Sequence, residues 1–223
     1  MAASAATASS NAGEPPRDCP LCPRLTEFRR DNRIAEPGWF NAPVPSFGTR
    51  DGRLLIVGLA PGLKGANRTG RPFTGDYAGD LLYPTLLRFG FARGAYGQRP
   101  DDGLELVDAR LTNAVRCVPP QNKPERSEIA TCNRFLIGEI AAMKRLRAIV
   151  ALGRIAHDAV LRALGRKLSS APFGHAARHA LDGGVALYDS YHCSRYNTNT
   201  GVLTEAMFCD VFGAIRRELD ANR

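Results

Sequence analysis

The chain has 223 residues, of which 44% are hydrophobic, and its formal net charge is +8. This length suits one domain with a full hydrophobic core. The sequence has no stretch near the roughly 18 apolar residues that a membrane-spanning helix needs, so we expect no membrane partner. The positive charge indicates an anionic partner: nucleic acid is the first candidate, and a generic basic surface is the alternative.

The first 18 residues are rich in alanine and serine and contain neither a basic segment nor a strong apolar block. A secretory signal needs both, and the late first basic residue, Arg17, fits a mitochondrial presequence poorly. We therefore predict a disordered tail over residues 1–18, one domain over 19–223, and a cytoplasmic protein. Six cysteines without a secretory signal favour a metal or cluster site over disulfides.

The predicted elements alternate between strands and helices. Apolar runs predict four strands at Leu54–Val57, Arg110–Val115, Ala148–Leu152 and Val185–Tyr191. Helices are predicted over Leu25–Arg33, from about Tyr77, and over Arg126–Met143, Ile155–Leu164 and Leu203–Leu219. This alternation predicts an α/β fold of three layers, α/β/α, with a central four-stranded parallel sheet.

Two loops follow predicted strands and carry most of the notable polar residues. Residues 58–79 read GLAPGLKGANRTGRPFTGDYAG, and residues 192–201 read HCSRYNTNTG. Glycines allow close approach of the backbone to a ligand, and both loops should open at the carboxyl edge of the sheet. Asn113, at the end of the second strand, should point to the same place. We therefore expect one pocket at this edge.

Four side chains are candidates for that pocket. Phe73 offers a flat face, Asn113 a bidentate amide, His192 a hydrogen-bond donor and Asp76 a carboxylate, a set that suits a planar heterocycle. Phosphates could be held by the polar residues that follow, Arg195, Asn197, Thr198, Asn199 and Thr200. Structural alternatives remain: Phe73 as plain core, Asp76 as a helix cap and Asn113 as a partner for buried backbone.

The cysteines form one candidate metal site and two leftovers. Cys19 and Cys22 make a C-x2-C pair, and Cys117 and Cys132 bracket residues 118–131. Four thiolates bind zinc or a 4Fe–4S cluster, and spacing alone does not separate the two. Cys209 is predicted to pack in the core. For Cys193 a packing role is favoured over a role in the site.

The combination of motifs resembles a known family. C-x2-C, GLAPG…GRPFTGDYAG, TNAVRC-VPP, the later cysteine and H-x-S-R-x-N-T-x-T-G together resemble the iron–sulfur uracil-DNA glycosylases, most closely family 5 (type B). The resemblance spans about Cys19 to Ile215. It implies hydrolytic removal of uracil, and of other deaminated bases such as hypoxanthine, from DNA, with an abasic site as product. We expect a monomer with this superfamily's fold.

The resemblance also assigns residues. It implies that four cysteines ligate a 4Fe–4S cluster: Cys19, Cys22, Cys117 and Cys132. Phe73 matches the residue that stacks on the flipped base, and Asn113 matches the asparagine that contacts that base. His192 matches the histidine of the second motif, and Asp76 matches an aspartate proposed to position water. The substrate-binding set is completed by Gly58, Leu59, Ala60, Pro61, Gly62, Ser194 and Arg195.

Two departures keep alternatives open. The first motif, Leu59–Gly62, carries no acid or amide for water activation, as is typical of family 5. Cys193 stands where the family usually has proline, and Tyr196 stands in place of glutamine. The alternatives are a uracil-specific enzyme of the family 4 type and a non-catalytic, cluster-bearing module that recognises DNA lesions.

Overall fold

The computed structural model describes residues 13–221. Its helices are α1 (Pro23–Ala35), α2 (Ala66–Thr69), α3 (Tyr77–Arg88), α4 (Arg126–Ala142), α5 (Arg154–Ala163), α6 (Arg195–Asn199) and α7 (Glu205–Ala221). Its strands are β1 (Phe47–Gly48), β2 (Leu54–Gly58), β3 (Ala92–Arg93), β4 (Glu105–Leu106), β5 (Ala109–Asn113), β6 (Ala148–Leu152), β7 (Arg178–Ala180) and β8 (Ala186–Ser190).

The main sheet has the strand order β1-β5-β2-β6-β8-β7. Its four central strands are parallel and every residue in them is buried, which confirms the predicted α/β fold and its parallel core. The sheet is nevertheless six-stranded, because β1 and β7 add antiparallel edges. These edges have two and three residues and are only partly buried, so they lack the apolar pattern that reveals a strand.

Helices cover both faces of the sheet. Successive side chains of β2 alternate, so Leu54 and Ile56 pack with α3 and α7, whereas Leu55 and Val57 pack with α1, α4 and α5. The largest apolar side chains of α7 on this interface, Phe208 and Phe212, are fully buried. Burial of each such side chain contributes about 1.5–3 kcal/mol. None of the described helices is both long and apolar enough to cross a bilayer.

The predicted tail differs from the structure in its last residues. Residues 1–12 lie outside the described part of the chain, but Glu14 is attached to the domain. Its carboxylate accepts hydrogen bonds from Arg110 and Arg116, each at 3.2 Å, and from the Ser46 backbone at 2.9 Å. Both arginines also pair with the fully buried Glu139. The packed part of the chain therefore begins before Cys19.

Candidate active site

The loops that follow β2, β5 and β8 meet at the carboxyl edge of the sheet. They enclose a cleft of about 260 Å³. Its walls are formed by Leu59, Ala60, Pro61, Gly62, Phe73, Asp76, Tyr77, Ala78, Asn122, His192, Ser194 and Arg195. The structure thus brings Leu59–Gly62, Phe73, Asp76, His192, Ser194 and Arg195 to one cleft, whereas Gly58 and Asn113, which were also predicted for the site, do not line it.

Gly58, at the end of β2, lies next to two of the predicted site residues, Asn113 and Phe73. A Cβ atom at this position would overlap both the Asn113 Oδ1 atom and the Phe73 ring, so only glycine lets the two approach so closely. Asn113 is buried, and its Oδ1 has no hydrogen-bond partner among the described residues. An unpaired buried acceptor is costly. This oxygen lies beside the Phe73 ring, but Asn113 is not among the residues that line the cleft.

Phe73 has a left-handed backbone, with φ of 54°. Such a conformation costs a non-glycine residue on the order of 1–3 kcal/mol and needs support from its surroundings. Tyr83 donates a hydrogen bond to the Pro72 carbonyl at 2.5 Å, and Tyr96 donates one to the Phe73 carbonyl at 3.3 Å. The two hydroxyls hold the peptide units on either side of Phe73 and aim its ring at the cleft.

A buried ion pair reinforces this segment. Arg71 makes a bidentate contact to Asp102, at 2.7 and 2.6 Å, and donates to the Thr74 hydroxyl at 2.7 Å. The hydrogen bonds from Arg71 hold the pKa of Asp102 well below its usual range. The Arg71 guanidinium also lies 5.3 Å from the ring centre of Tyr83. Together these contacts fix the turn on which Phe73 sits.

His192 faces Phe73 across the cleft. The two ring centres are 6.2 Å apart, with 28° between the planes. Burial lowers the pKa of His192 to about 4, so the ring is neutral near pH 7 and can donate one N–H hydrogen bond. Asn197 fixes the backbone here by donating to the His192 carbonyl at 2.8 Å.

Asp76 caps α3 and also lines the cleft. Its Oδ1 accepts a long hydrogen bond of 3.4 Å from the Gly79 backbone. Its other carboxylate oxygen packs against Gly62 and Gly65. A Cβ atom at Gly65 would collide with this oxygen. Burial raises the pKa of Asp76, against the opposing effect of the Gly79 hydrogen bond. Asp76 therefore caps α3 and lines the cleft at the same time.

The second polar loop contains a helix rather than an open phosphate site. Ser194 caps α6, and the hydroxyls of Thr198 and Thr200 donate to carbonyls within this turn. The hydroxyls of these threonines are therefore engaged within the helix, and contact with phosphates stays a prediction. Arg195 stays exposed at the mouth of the cleft, 5.2 Å from the Tyr77 ring, and the Tyr196 side chain beside it is 74% exposed.

Sequence reasoning missed three lining residues, Tyr77, Ala78 and Asn122. Tyr77 and Ala78 start α3 directly after Asp76, so their position follows once Asp76 is placed in the cleft. Asn122 comes from the loop after β5. There Gln121 and Asn122 have φ of 55° and 57°, a conformation that asparagine tolerates better than most residues. A polar pair after two prolines was the available signal.

The four predicted ligand cysteines line a single small cavity next to β5. Cys19 and Cys22 come from the segment directly before α1, Cys117 from the loop after β5 and Cys132 from α4. Two N–H groups point at the sulfurs: Arg29 Nη1 at 3.4 Å from Cys117 and the Arg116 backbone at 3.3 Å from Cys132. Burial raises the pKa of Cys117 to about 12 and that of Cys132 to about 11.

The remaining cysteines lie away from this cavity. Cys209 is buried on α7, as its packing interpretation predicts. Cys193 is also fully buried and belongs to the same apolar cluster as Phe73 and Phe208. Burial strongly raises the pKa of the Cys193 thiol, which makes it a packing group rather than a nucleophile.

The sequence model that describes the uracil DNA glycosylase superfamily matches residues 45–216 of this chain. The chain belongs to this superfamily. It is 46% identical over 205 residues to a type-5 uracil-DNA glycosylase of Thermus thermophilus, covering 89% of this chain and 93% of the relative. A type-5 uracil-DNA glycosylase of Pyrobaculum aerophilum is 39% identical over 198 residues, or 87% of this chain and 86% of the relative.

A type-4 uracil-DNA glycosylase of Pyrobaculum aerophilum is more distant, at 35% identity over 152 residues. That alignment covers 68% of this chain and 63% of the relative. The longer and closer matches to type-5 proteins confirm the family 5 resemblance that the motifs indicate.

One histidine outside the cleft of this uracil DNA glycosylase superfamily member has a structural role. His157 is buried, with Nδ1 at 2.7 Å from Asp189 and Nε2 at 2.8 Å from the Ala171 carbonyl. Both ring nitrogens face oxygen acceptors, an arrangement that favours the protonated ring. Although burial opposes this charge, the hydrogen bond to Asp189 raises the pKa of His157. The pair anchors β8 three residues before His192.

Proposed function

We propose that this chain is a type-5 uracil-DNA glycosylase, which hydrolyses the bond between uracil and deoxyribose in DNA and leaves an abasic site. The observation that carries the proposal is the cleft that Phe73, Asp76 and His192 line, with the unpaired Asn113 Oδ1 beside the Phe73 ring; we call the Phe73 side of this cleft the base slot. The type-5 names of relatives that align over most of the chain support the same activity. Other deaminated bases, such as hypoxanthine, are part of the proposal.

The slot suits a base that has left the duplex stack. Extrusion costs a few kcal/mol, and less for a mismatched base such as uracil opposite guanine. The Phe73 face replaces lost stacking, and Asn113 Oδ1 accepts the ring N–H of uracil. A larger residue than glycine at position 58 would fill this space.

The chemistry is best served by stabilising the leaving base. As the glycosidic bond breaks, uracil becomes an anion and the sugar gains positive charge. The neutral His192 ring donates a hydrogen bond to the developing anion, an effect worth about 3–4 kcal/mol for one well-placed donor. Asp76 orients the attacking water and favours the cationic sugar. No acid or amide in Leu59–Gly62 competes for that role.

The test is excision from a duplex that contains one uracil, followed by alkali to break abasic sites. Asp76→Ala and His192→Ala should each slow single-turnover cleavage strongly while DNA affinity is kept. Asp210→Asn, an exposed carboxylate on α7, is the control and should behave like wild type. Wild-type rates in both active-site variants would refute the mechanism. No strand break with wild type would favour the lesion-binding module.

Base preference separates this proposal from a family 4 enzyme. Matched duplexes with uracil, hypoxanthine, xanthine or ethenocytosine are incubated with the protein and treated with alkali. Breaks at several bases support the type-5 assignment. Breaks at uracil alone favour the uracil-specific alternative.

We further propose that Cys19, Cys22, Cys117 and Cys132 hold a 4Fe–4S cluster whose role is structural. The donor set fits: thiolates prefer such clusters or zinc, and the N–H groups of Arg29 and Arg116 can stabilise their charge. A tetrahedral zinc ion would need sulfurs about 3.8 Å apart. Among residues 13–221, three ligand atoms lie within 4.8 Å of one another at His157, His179 and Asp189. No three of the described cysteine sulfurs lie that close together, so their spacing favours a cluster over zinc.

The cluster, when bound, would tie the start of α1 to the loop after β5 and to α4. Iron and sulfide analysis, together with a visible absorbance at about 400 nm, would identify the cluster. Cys132→Ser should abolish that absorbance, and Cys209→Ser should leave it intact. Equimolar zinc without colour would contradict the cluster assignment.

A further inference from the structure

A second large concave surface lies between the start of α4 and one face of α5. We call it the arginine groove. Its volume is about 780 Å³. It is lined by Pro124, Arg126, Ile129, Ala130, Arg154, Ile155, Asp158 and Arg162.

The three arginines of the groove are exposed, and none of them has a carboxylate partner within residues 13–221. Arg126 and Arg162 make no side-chain hydrogen bond or ion pair with any described residue, and Arg154 lies 5.1 Å from the Phe173 ring. The nearby Arg24, in contrast, is held by Glu128 at 2.7 Å. Three arginines and one aspartate leave the groove with a net charge of +2.

The groove begins where the cleft ends. Arg154 directly follows Gly153, at which a Cβ atom would lie 3.3 Å from the His192 Cβ. On the other side, Pro124 lines the groove and Asn122, two residues earlier, lines the cleft. A polymer that enters the cleft at one unit would therefore continue past the arginines.

The spacing of the charges suits an extended polyanion. Arg154, Asp158 and Arg162 recur every fourth residue on one face of α5, so the two arginines are about 12 Å apart along the helix. A single phosphate cannot reach both. Asp158 lies between these two arginines and repels an anion. The contacts with a bound polyanion would therefore be made by the three arginines.

We propose that the arginine groove binds the sugar–phosphate backbone of DNA beside the extruded nucleotide. This inference rests on the proposed glycosylase function. Arginines that contact phosphates carry no sequence information but position the duplex. They would hold the DNA in register while one nucleotide enters the cleft.

The test compares wild type with the triple variant Arg126→Gln, Arg154→Gln, Arg162→Gln. Arg217→Gln, an exposed arginine on α7 at the opposite face of the sheet, is the control for loss of charge. Affinity for a uracil-free 25-base-pair duplex is measured by fluorescence anisotropy over a range of salt concentrations. This binding readout does not require excision, so it separates failure of the groove from failure of the proposed function.

The triple variant should bind about tenfold or more weakly at about 0.15 M salt, and its log–log salt slope should fall by about 2–3. On a uracil trinucleotide, which is too short to extend from the cleft past both Arg154 and Arg162, its loss of kcat/KM should be smaller. Affinity and slope like those of wild type, or an equal loss in Arg217→Gln, would overturn the inference. Unchanged thermal denaturation would confirm that the variants are folded.

Discussion

Tyr83 donates a 2.5 Å hydrogen bond to the carbonyl of Pro72, the residue directly before Phe73. Tyr83 is fully buried, and Tyr83→Phe would remove the shorter of two hydrogen bonds to this carbonyl, which also accepts one from the Thr74 hydroxyl at 3.2 Å, at a cost of about 0.5–1.5 kcal/mol of stability. We expect slower uracil excision as well, because the left-handed backbone of Phe73 would lose part of its support. Urea denaturation and single-turnover kinetics measure the two effects.

A double-mutant cycle with Phe73→Ala separates positioning from stability. In the Phe73→Ala background, Tyr83→Phe should still lower stability but should slow excision no further. Additive losses of rate in the two variants would show that Tyr83 does not act through Phe73.

Gly58→Ala tests the contact between the base slot and the sheet. The added methyl would overlap both Asn113 and Phe73, and forced rearrangement of a packed site costs about 1–3 kcal/mol. We expect excision to fall by about tenfold or more, because displacement of Phe73 and Asn113 would weaken their contacts with the base, and a loss of 1.4 kcal/mol of transition-state stabilisation corresponds to about tenfold. Gly38→Ala is the matched control, because no atom lies within 4 Å of a Cβ there. Normal excision by Gly58→Ala would contradict the slot.

His192 should make folding stability depend on pH in the acidic range. Its pKa falls from 6.5 to about 4 on folding, so the unfolded state binds more protons between these values. The contribution of the neutral ring is therefore complete above pH 6.5 and is lost as the pH falls toward 4. Urea denaturation of wild type and His192→Asn from pH 4.5 to 8 should show that the variant loses stability less steeply upon acidification. Parallel curves would mean that the ring is not buried as described.

The described N-terminal residues should protect the cysteine cavity. Pro15 lines that cavity, and the neighbouring Glu14 binds the buried Arg116 at 3.2 Å. Glu14→Ala should destabilise the fold by about 1–3 kcal/mol and shorten the half-life of the visible absorbance under an iron chelator. Glu36→Ala, an exposed carboxylate, is the control. Equal half-lives in the two variants would show that Glu14 does not seal the cavity.

The four central strands and the main helices were predictable because each has a strong local signal. Buried parallel strands need runs such as Leu54–Val57, and α7 repeats Val211, Ile215 and Leu219 at helical spacing. Glycine and polar residues at the ends of those strands then located the cleft. The edge strands β1 and β7 were missed, since two or three partly buried residues leave no period to detect.

The sequence by itself determined the layer order of the fold, the family and the set of residues that meet at the sheet edge. Only the tertiary structure decided how those residues are held: the support of Phe73 by Tyr83 and Tyr96, and the unpaired amide oxygen of Asn113. It also decided that Glu14 reaches Arg116, 102 positions along the chain. Local patterns reflect the period of one element, whereas these contacts join side chains whose distance in space no local pattern records.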